Sequence, residues 1–547
     1  MEMTGGEALA HQLAREGVTE LFGVPGVQLD SAVDGLAGVR DRVAYLNTRH
    51  EQGAAYMADG YARTTGRPGV CMVVPGPGVL NAMAALATAY ACSSPVVCIA
   101  GQIPSDAIGR ELGMLHEVRG QSATLGTVTK WSGFARGPGE VPALVSEAFR
   151  AVRSGRPQPA AVEIPPDVLA ASADVELAEP SGAPALVQPD PAVVARAAAA
   201  LAGAKRPVIY AGGGVLASRG AQELRALAEH LRAPVIMSQH GRGALDDRHP
   251  LALTSLAGRR VLPLADAVLV VGSRFVTGKA VPVSTAPDAT LVLLNAAERD
   301  LGEPRRADVA LHADARLGLA ALRAELDGAP AARPGVTAEL DAAREHAAKE
   351  IAEIVPQASW VRALRAAIPE DGILVNELTQ VGYLSEVAYP VYHPGTYLTP
   401  GYQGTLGYGF PTALGAAVGN PGRTVVSING DGGFGWGSSE LATARKYDIG
   451  LVTVVFTDGA FGNVRRTQRT RFGGRVLGTD LVNPDLVTLA GAYGIPGVRV
   501  TTPDALTSAI ATAAGYAGPT LIEVPVGEMP SAWHLIHDFI PKPAATG

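Results

Sequence analysis

At 547 residues the chain is too long for one core and predicts roughly three or four domains of ordinary size. Hydrophobic residues make up 47% and charged residues 18%, which excludes a disordered or fibrous chain. The formal net charge of −7, with no stripe of Lys and Arg, argues against a nucleic-acid partner, and the apolar runs fall far short of the roughly 18 residues a membrane span needs.

Short β-rich apolar runs occur in chain order at 70–74, 96–100, 161–164, 208–210, 268–271, 291–294, 373–375, 425–428, 452–456 and 521–524. Turn residues flank each, and helix-like sequence follows most. That alternation predicts parallel α/β sheets covered on both faces. Residues 171–191 and 328–336 are rich in Pro and Ala and read as linkers, the second followed by a helix over 337–354. The expected architecture is therefore three doubly wound parallel-sheet α/β domains, at 1–172, 191–327 and 356–540. The opening MEMTGGEALAHQLAREG has no apolar stretch of the signal-peptide kind, so a cytoplasmic location is expected. Cys71, Cys92 and Cys98 lack a CxxC spacing and read as small core residues of a reducing compartment.

Four polar features interrupt this pattern. Glu51, in the segment LNTRHEQGAAYMADGYAR, enters a helix, where a carboxylate suits the helix dipole whatever its other role. His116 and Glu117 lie in a polar loop and are both proton-transfer types. In the middle domain, RPVIYAGGGVLA contains a G-x-G-x-x-A match after a strand, but no clear acidic residue ends the next strand. In the third domain, Asn429-Gly430-Asp431-Gly432-Gly433 follows a buried strand and opens a helix over 438–446. Carboxyl ends of strands in open α/β sheets are where phosphates meet helix N-termini. The glycines let backbone N–H groups approach a diphosphate, and Asp431 offers a hard oxygen to a bridging cation. Asp458 follows the next strand, 27 residues after Asp431.

The stretch from Gly430 to Asp458 resembles the thiamine-diphosphate motif, which begins Gly-Asp-Gly and ends in an Asn-Asn pair. Here Thr457-Asp458 stands in place of that pair. The segments TGGEALAHQLAREGVTELFGVPG, RHEQGAAYMADGYAR and VVPGPGVLNAMAALATAYACSSPVVCIAGQ resemble the pyrimidine-binding domain of acetolactate synthases, benzaldehyde lyase and related enzymes. The likeness spans all three domains. It implies that Asp431, Asp458 and the Ala460 carbonyl hold Mg²⁺. It implies that Gly430, Gly432, Gly433, Phe461 and Gly462, with Thr379 and Gln380, border the diphosphate. Pro25 and Gly26 fall beside the pyrimidine. The segment GYQGTLGYGFPTALGAAVG matches the one that bends the cofactor, with Leu406 as apolar wedge and the Gly404 carbonyl as acceptor for the pyrimidine amino group. Glu51 matches the glutamate that hydrogen-bonds the aminopyrimidine ring and favours its imino form, which takes the proton from the thiazolium carbon.

Many relatives carry Phe-Gln where this chain has His116-Glu117, which places a titrating imidazole beside a carboxylate at the substrate side. The implied activity is that of a carboligase or decarboxylase acting on 2-oxo acids or acyloins, with an aldehyde or ketone as acceptor. The implied assembly is a homodimer or homotetramer with active sites at the subunit interface. Alternatives are a simple decarboxylase releasing an aldehyde, a flavin-dependent oxidase, and a non-catalytic paralogue. Gly272-Ser273-Arg274-Phe275 resembles a flavin-contacting segment. The strand that ends in an acidic pair in flavin-binding relatives ends here in Leu294-Asn295, so FAD is not favoured.

Overall fold

The computed structural model describes residues 1–183, 185–276, 283–302, 306–327 and 337–537; the break at 328–336 and the last residues of the third expected domain, 538–540, lie outside them. A short strand β1 (Glu2–Thr4) precedes a first sheet built from β2 (Glu20–Gly23), β3 (Ala44–Asn47), β4 (Gly69–Val73), β5 (Val96–Gly101), β6 (Trp131–Phe134) and β7 (Ala160–Ile164). Its parallel order is β3-β2-β4-β5-β7-β6. The segment expected as a bare linker contains β8 (Ser172–Asp174), which pairs antiparallel with β1.

The second sheet contains β9 (Pro207–Ala211), β10 (Val235–Met237), β11 (Ala252–Thr254), β12 (Ala267–Val271), β13 (Thr290–Asn295) and β14 (Val309–His312), in the order β11-β10-β9-β12-β13-β14. The third contains β15 (Ile373–Asn376), β16 (Tyr397–Leu398), β17 (Val425–Gly430), β18 (Val452–Thr457), β19 (Gly497–Arg499) and β20 (Thr520–Pro525), in the order β16-β15-β17-β18-β20-β19. All three are parallel, as helices on both faces require. Every residue of β4, β5, β7, β9 and β12 is buried, which is why these strands read as unbroken apolar runs. The long helix expected over 337–354 runs Thr337–Ala352.

Numbered within its own domain, the third sheet repeats the first: each has the order 2-1-3-4-6-5. The middle sheet is wound 3-2-1-4-5-6. The order turns back between β2 and β4, between β9 and β12 and between β15 and β17, and in the first and third sheets again at the outer pairs β7-β6 and β20-β19; the three interior reversals open a crevice at the strands' carboxyl ends. The first and third domains pack through the helices Glu51–Thr65 and Gly409–Gly419. A Cβ at Gly60 would lie 1.9 Å from the Thr412 carbonyl oxygen, and one at Gly415 would lie 1.9 Å from that of Met57, so both crossings demand glycine. No helix among the described residues is long and apolar enough to cross a membrane.

Candidate active site

The reversal in the first sheet carries Glu51 and His116. β2 runs into Pro25, Gly26 and Gln28, and β4 runs into the turn Pro75–Gly78. Glu51 opens its helix and is 9% exposed. Its Oε2 accepts from Asn81 Nδ2 at 2.9 Å, while a Cβ at Gly78 would lie 3.3 Å from Oε1. The Glu440 carboxylate, from the third domain, accepts the backbone N–H of His50 and so fixes the start of this helix. On the far side of the turn, a Cβ at Gly76 would lie 2.2 Å from the His116 carbonyl oxygen. The expected pairing of His116 with Glu117 is absent. Glu117 Oε2 instead accepts the Met114 N–H at 2.9 Å, and His116 Nδ1 lies 2.9 Å from Gln28 Oε1. Local turn closure explains the change, because Glu117 N also donates to the Met114 carbonyl. Gln121, in the same loop, is buried and spent on structure, accepting from Gly76 N and donating to Gly101 O and Glu163 Oε2.

The reversal in the third sheet gathers the acidic motif. The helix begins at Asp431 itself (Asp431–Gly437), not at 438 as expected, because Gly430 has the extended conformation of an N-cap. Asp431 is 5% exposed. Its Oδ1 accepts the Gly432 N–H at 3.0 Å, and its Oδ2 accepts the Gly459 N–H at 2.8 Å and Asn483 Nδ2 at 2.7 Å. Asp458 Oδ1 accepts the Ala460 N–H at 3.1 Å. Burial, and then the nearby negative charge of Asp431, push the Asp458 carboxyl up to about 6. Two hard carboxylates that repel one another suit a divalent cation between them. Among the described residues, no group of three or more His, Cys, Asp and Glu side chains is arranged to hold a metal, so further ligands would come from backbone, water or a bound anion.

The neighbouring loops close on this point. Thr379 sits about 3.5 Å from where a Gly430 Cβ would be, and Gln380 stands the same distance from a Gly462 Cβ. A Cβ on Gly432 would strike the Phe461 ring at 2.8 Å, and one on Gly462 would meet Asp458 Oδ2 at 2.3 Å. Gly404 and Leu406 are exposed, and Gln52 Nε2 donates to the Leu406 carbonyl at 3.4 Å, joining the start of the Glu51 helix to this loop.

Three further residues escaped the sequence reading. Asn81 and Asn483 position the two key carboxylates, and nothing local marks them. Glu377, just after β15, is 3% exposed; its Oε1 accepts the Gly407 N–H at 2.8 Å, and its Oε2 has no partner. Burial pushes its carboxyl up to about 8 against the opposing pull of backbone N–H groups at Gly407, Tyr408 and Gly409. A Cβ at Gly433 would overlap this carboxyl, so Glu377 links the Asp431 turn to the Leu406 loop. In the middle domain, Gly212 and Gly214 pack on Gly272 and Ser273, and Gly213 packs on His240, which accounts for that glycine cluster by chain packing.

The chain that places a carboxylate pair and glycine turns at one sheet reversal and a buried glutamate at another matches three family models. They are the thiamine pyrophosphate enzyme N-terminal TPP binding domain over residues 3–123, the central domain over 194–322, and the C-terminal TPP binding domain over 379–524. The chain is 35% identical to the "Probable 2-ketoarginine decarboxylase AruI" of Pseudomonas aeruginosa, over 95% of this chain and 94% of that protein. It is 33% identical to the "Probable acetolactate synthase large subunit" of Methanocaldococcus jannaschii, over 95% and 92% of the two. It is 32% identical to the acetolactate synthase isozyme 2 large subunit of Escherichia coli, over 98% and 97%. The chain belongs to the thiamine pyrophosphate enzyme family. Within it, the chain is a thiamine-diphosphate-dependent enzyme of the carboligase and decarboxylase kind, acting on small molecules.

Proposed function

We propose that this enzyme decarboxylates a 2-oxo acid, or cleaves an acyloin, and hands the acyl unit to a neutral aldehyde acceptor. The observation that carries the reading is the pair of polar sites at equivalent sheet reversals, Glu51 in the first domain and Asp431 with Asp458 in the third. When bound, thiamine diphosphate supplies a carbon nucleophile and an electron sink beside the substrate carbonyl.

The chain's own residues hold and orient that group. Asp431, Asp458 and the Ala460 carbonyl take Mg²⁺. Gly430, Gly432, Gly433, Thr379, Gln380, Phe461 and Gly462 cradle the diphosphate. With the cofactor bound, the Gly404 carbonyl would accept from the pyrimidine amino group, Leu406 would support the rings, and Pro25 and Gly26 would border the pyrimidine. Asn81 occupies one oxygen of Glu51 and leaves Oε1 for the ring nitrogen. His116, on the other side of the Gly76 turn, faces the reacting carbon, and Glu117 discourages a second 2-oxo acid by its charge. Flavin is not part of this reading.

The working unit is a homodimer or homotetramer, with domain boundaries near 172, 191, 327 and 356 and a cytoplasmic location. Exposed apolar side chains support the assembly. Val27, Leu80 and Leu115 stand out on the first domain, and Leu406, Trp436 and Val464 on the third.

A second reading is a simple decarboxylase that releases the aldehyde. The imidazole of His116, a proton-transfer group, favours it, as does the decarboxylase relative. Product analysis with pyruvate, benzoylformate and 2-ketoarginine, each with and without a competing aldehyde, decides between them. Coupled products support the first reading; free aldehyde in every case supports the second. No turnover of any 2-oxo acid or acyloin sinks both.

A further inference from the structure

Gln28 sits in the short turn after β2, 6% exposed, and its side-chain amide touches the His116 loop twice. Nε2 donates to the Leu115 carbonyl at 3.1 Å, and Oε1 lies 2.9 Å from His116 Nδ1. An amide nitrogen only donates and a carbonyl oxygen only accepts, so the first bond fixes which way the amide faces. Flipping it would press Oε1 against the Leu115 carbonyl. Oε1 therefore meets Nδ1, and Nδ1 must carry the hydrogen. In a neutral imidazole the other nitrogen is then a bare acceptor. Nε2 has no hydrogen-bond partner among the described residues.

The backbone keeps the ring in register. His116 has φ +67°, and its carbonyl packs so closely on Gly76 that no side chain fits there. Gln121 holds the Gly76 N–H at 2.8 Å. Glu117 is turned away onto Met114, so it does not compete for Nδ1.

We infer that Gln28 is a positioning residue that locks His116 in the Nδ1-protonated tautomer and leaves Nε2 as the acceptor offered to a substrate hydroxyl. This rests on the reading that puts His116 beside the reacting carbon. Nothing in the sequence reading pointed to Gln28.

The test is nitrogen-15 NMR of histidine-labelled holoenzyme at about pH 8, above the ordinary histidine range. The His116 signals are assigned by their loss in His116→Phe. The expected result is a dominant Nδ1–H form in the parent. Gln28→Leu should shift it toward Nε2–H and lower kcat by about tenfold or more, the scale of a misplaced proton-transfer group, with unchanged affinity for thiamine diphosphate. Gln28→Glu retains an acceptor for Nδ1–H but sets a carboxylate oxygen against the Leu115 carbonyl, so it should recover the Nδ1–H form with only part of the lost kcat. A dominant Nε2–H form in the parent, or a tautomer indifferent to Gln28→Leu, overturns the inference. A shifted tautomer with unchanged kcat and products leaves Gln28 as the tautomer lock and removes His116 from the substrate side.

Discussion

The carboxylate of Glu440 accepts the backbone N–H of His50 at 3.0 Å and that of Arg49 at 3.1 Å, across 390 and 391 positions of sequence. A third-domain acid thereby caps the segment from which Glu51 departs, and Thr443 Oγ1 donates to the same carboxylate. Glu440→Ala strands two part-buried N–H groups. The expected cost is about 1–3 kcal/mol for such unsatisfied groups, read by urea unfolding. The Glu51 helix start should also loosen, so kcat should fall while the affinity for thiamine diphosphate changes little. A variant as stable and active as the parent would remove Glu440 from this role.

Glu51→Gln should keep the fold, since an amide can still meet Asn81. It should slow proton exchange at the cofactor's thiazolium carbon by about 10²-fold or more, the low end for a positioned acid–base group. Hydrogen–deuterium exchange followed by NMR gives the rate. An unchanged rate would show that the ring nitrogen finds its proton elsewhere.

Asp431 and Asp458 should respond differently to substitution. Asp431→Ala removes the carboxylate whose two oxygens gather Gly432, Gly459 and Asn483, so binding of Mg²⁺ and thiamine diphosphate should be lost together. Asp458→Asn keeps an oxygen ligand and removes the repulsion between the two carboxylates, so affinity should hold or improve. Calorimetric titration showing the opposite order would overturn the metal assignment.

The ten strands found from the sequence are interior strands of their sheets, because burial on both faces demands continuous apolar residues. Every sheet edge was missed: β3, β6, β11, β14, β16 and β19. Two of them face solvent, β14 alternating buried and exposed residues and β19 largely exposed, while β11 and β16 are largely buried but only three and two residues long. Three residues of alternating polarity do not stand out from a loop. The common winding of the first and third sheets was not read from the sequence, since topology constrains which strands are apolar and not which residues they use. The acidic motif was legible because its glycines and aspartates are local. Gln28, Asn81, Glu377, Glu440 and Asn483 were not, because each acts on a partner far along the chain and their own surroundings carry no mark.

Glu377 and Glu386 make stability depend on pH. Burial pushes both carboxyls up to about 8 in the folded chain, from an ordinary value near 4.5. Between those values the folded state holds protons that the unfolded state has released. The stabilisation is complete below about pH 4.5 and is lost as pH rises through about 8. Thermal unfolding of the cofactor-free protein from pH 6 to about pH 9 should therefore show a falling Tm from these groups. Glu377→Gln should flatten that slope, by an amount on the order of a few kcal/mol at the alkaline end. An identical slope in the variant would mean that Glu377 is ionised in the folded state.

The last prediction concerns the partner subunit. Within one chain, the Glu51 carboxyl bonds to Asn81 of its own domain, while Asp431 and Asp458 are held by third-domain groups alone. Each domain thus carries its own half of a site, and each exposes apolar residues, Leu112 and Met114 on the first domain and Phe472, Leu477 and Val482 on the third. If the halves complete each other across a subunit interface, a chain lacking Glu51 and a chain lacking Asp431 are each inactive as homodimers. A hybrid dimer keeps one intact pair, Glu51 from the Asp431→Ala chain with Asp431 from the Glu51→Gln chain. Co-expression with two different affinity tags isolates that hybrid, and statistical exchange leaves one working site of two. Activity near half that of the parent dimer is the expected outcome. If each site is built from a single chain, the hybrid has no intact site and stays inactive, so isolated hybrids without activity would refute the shared site.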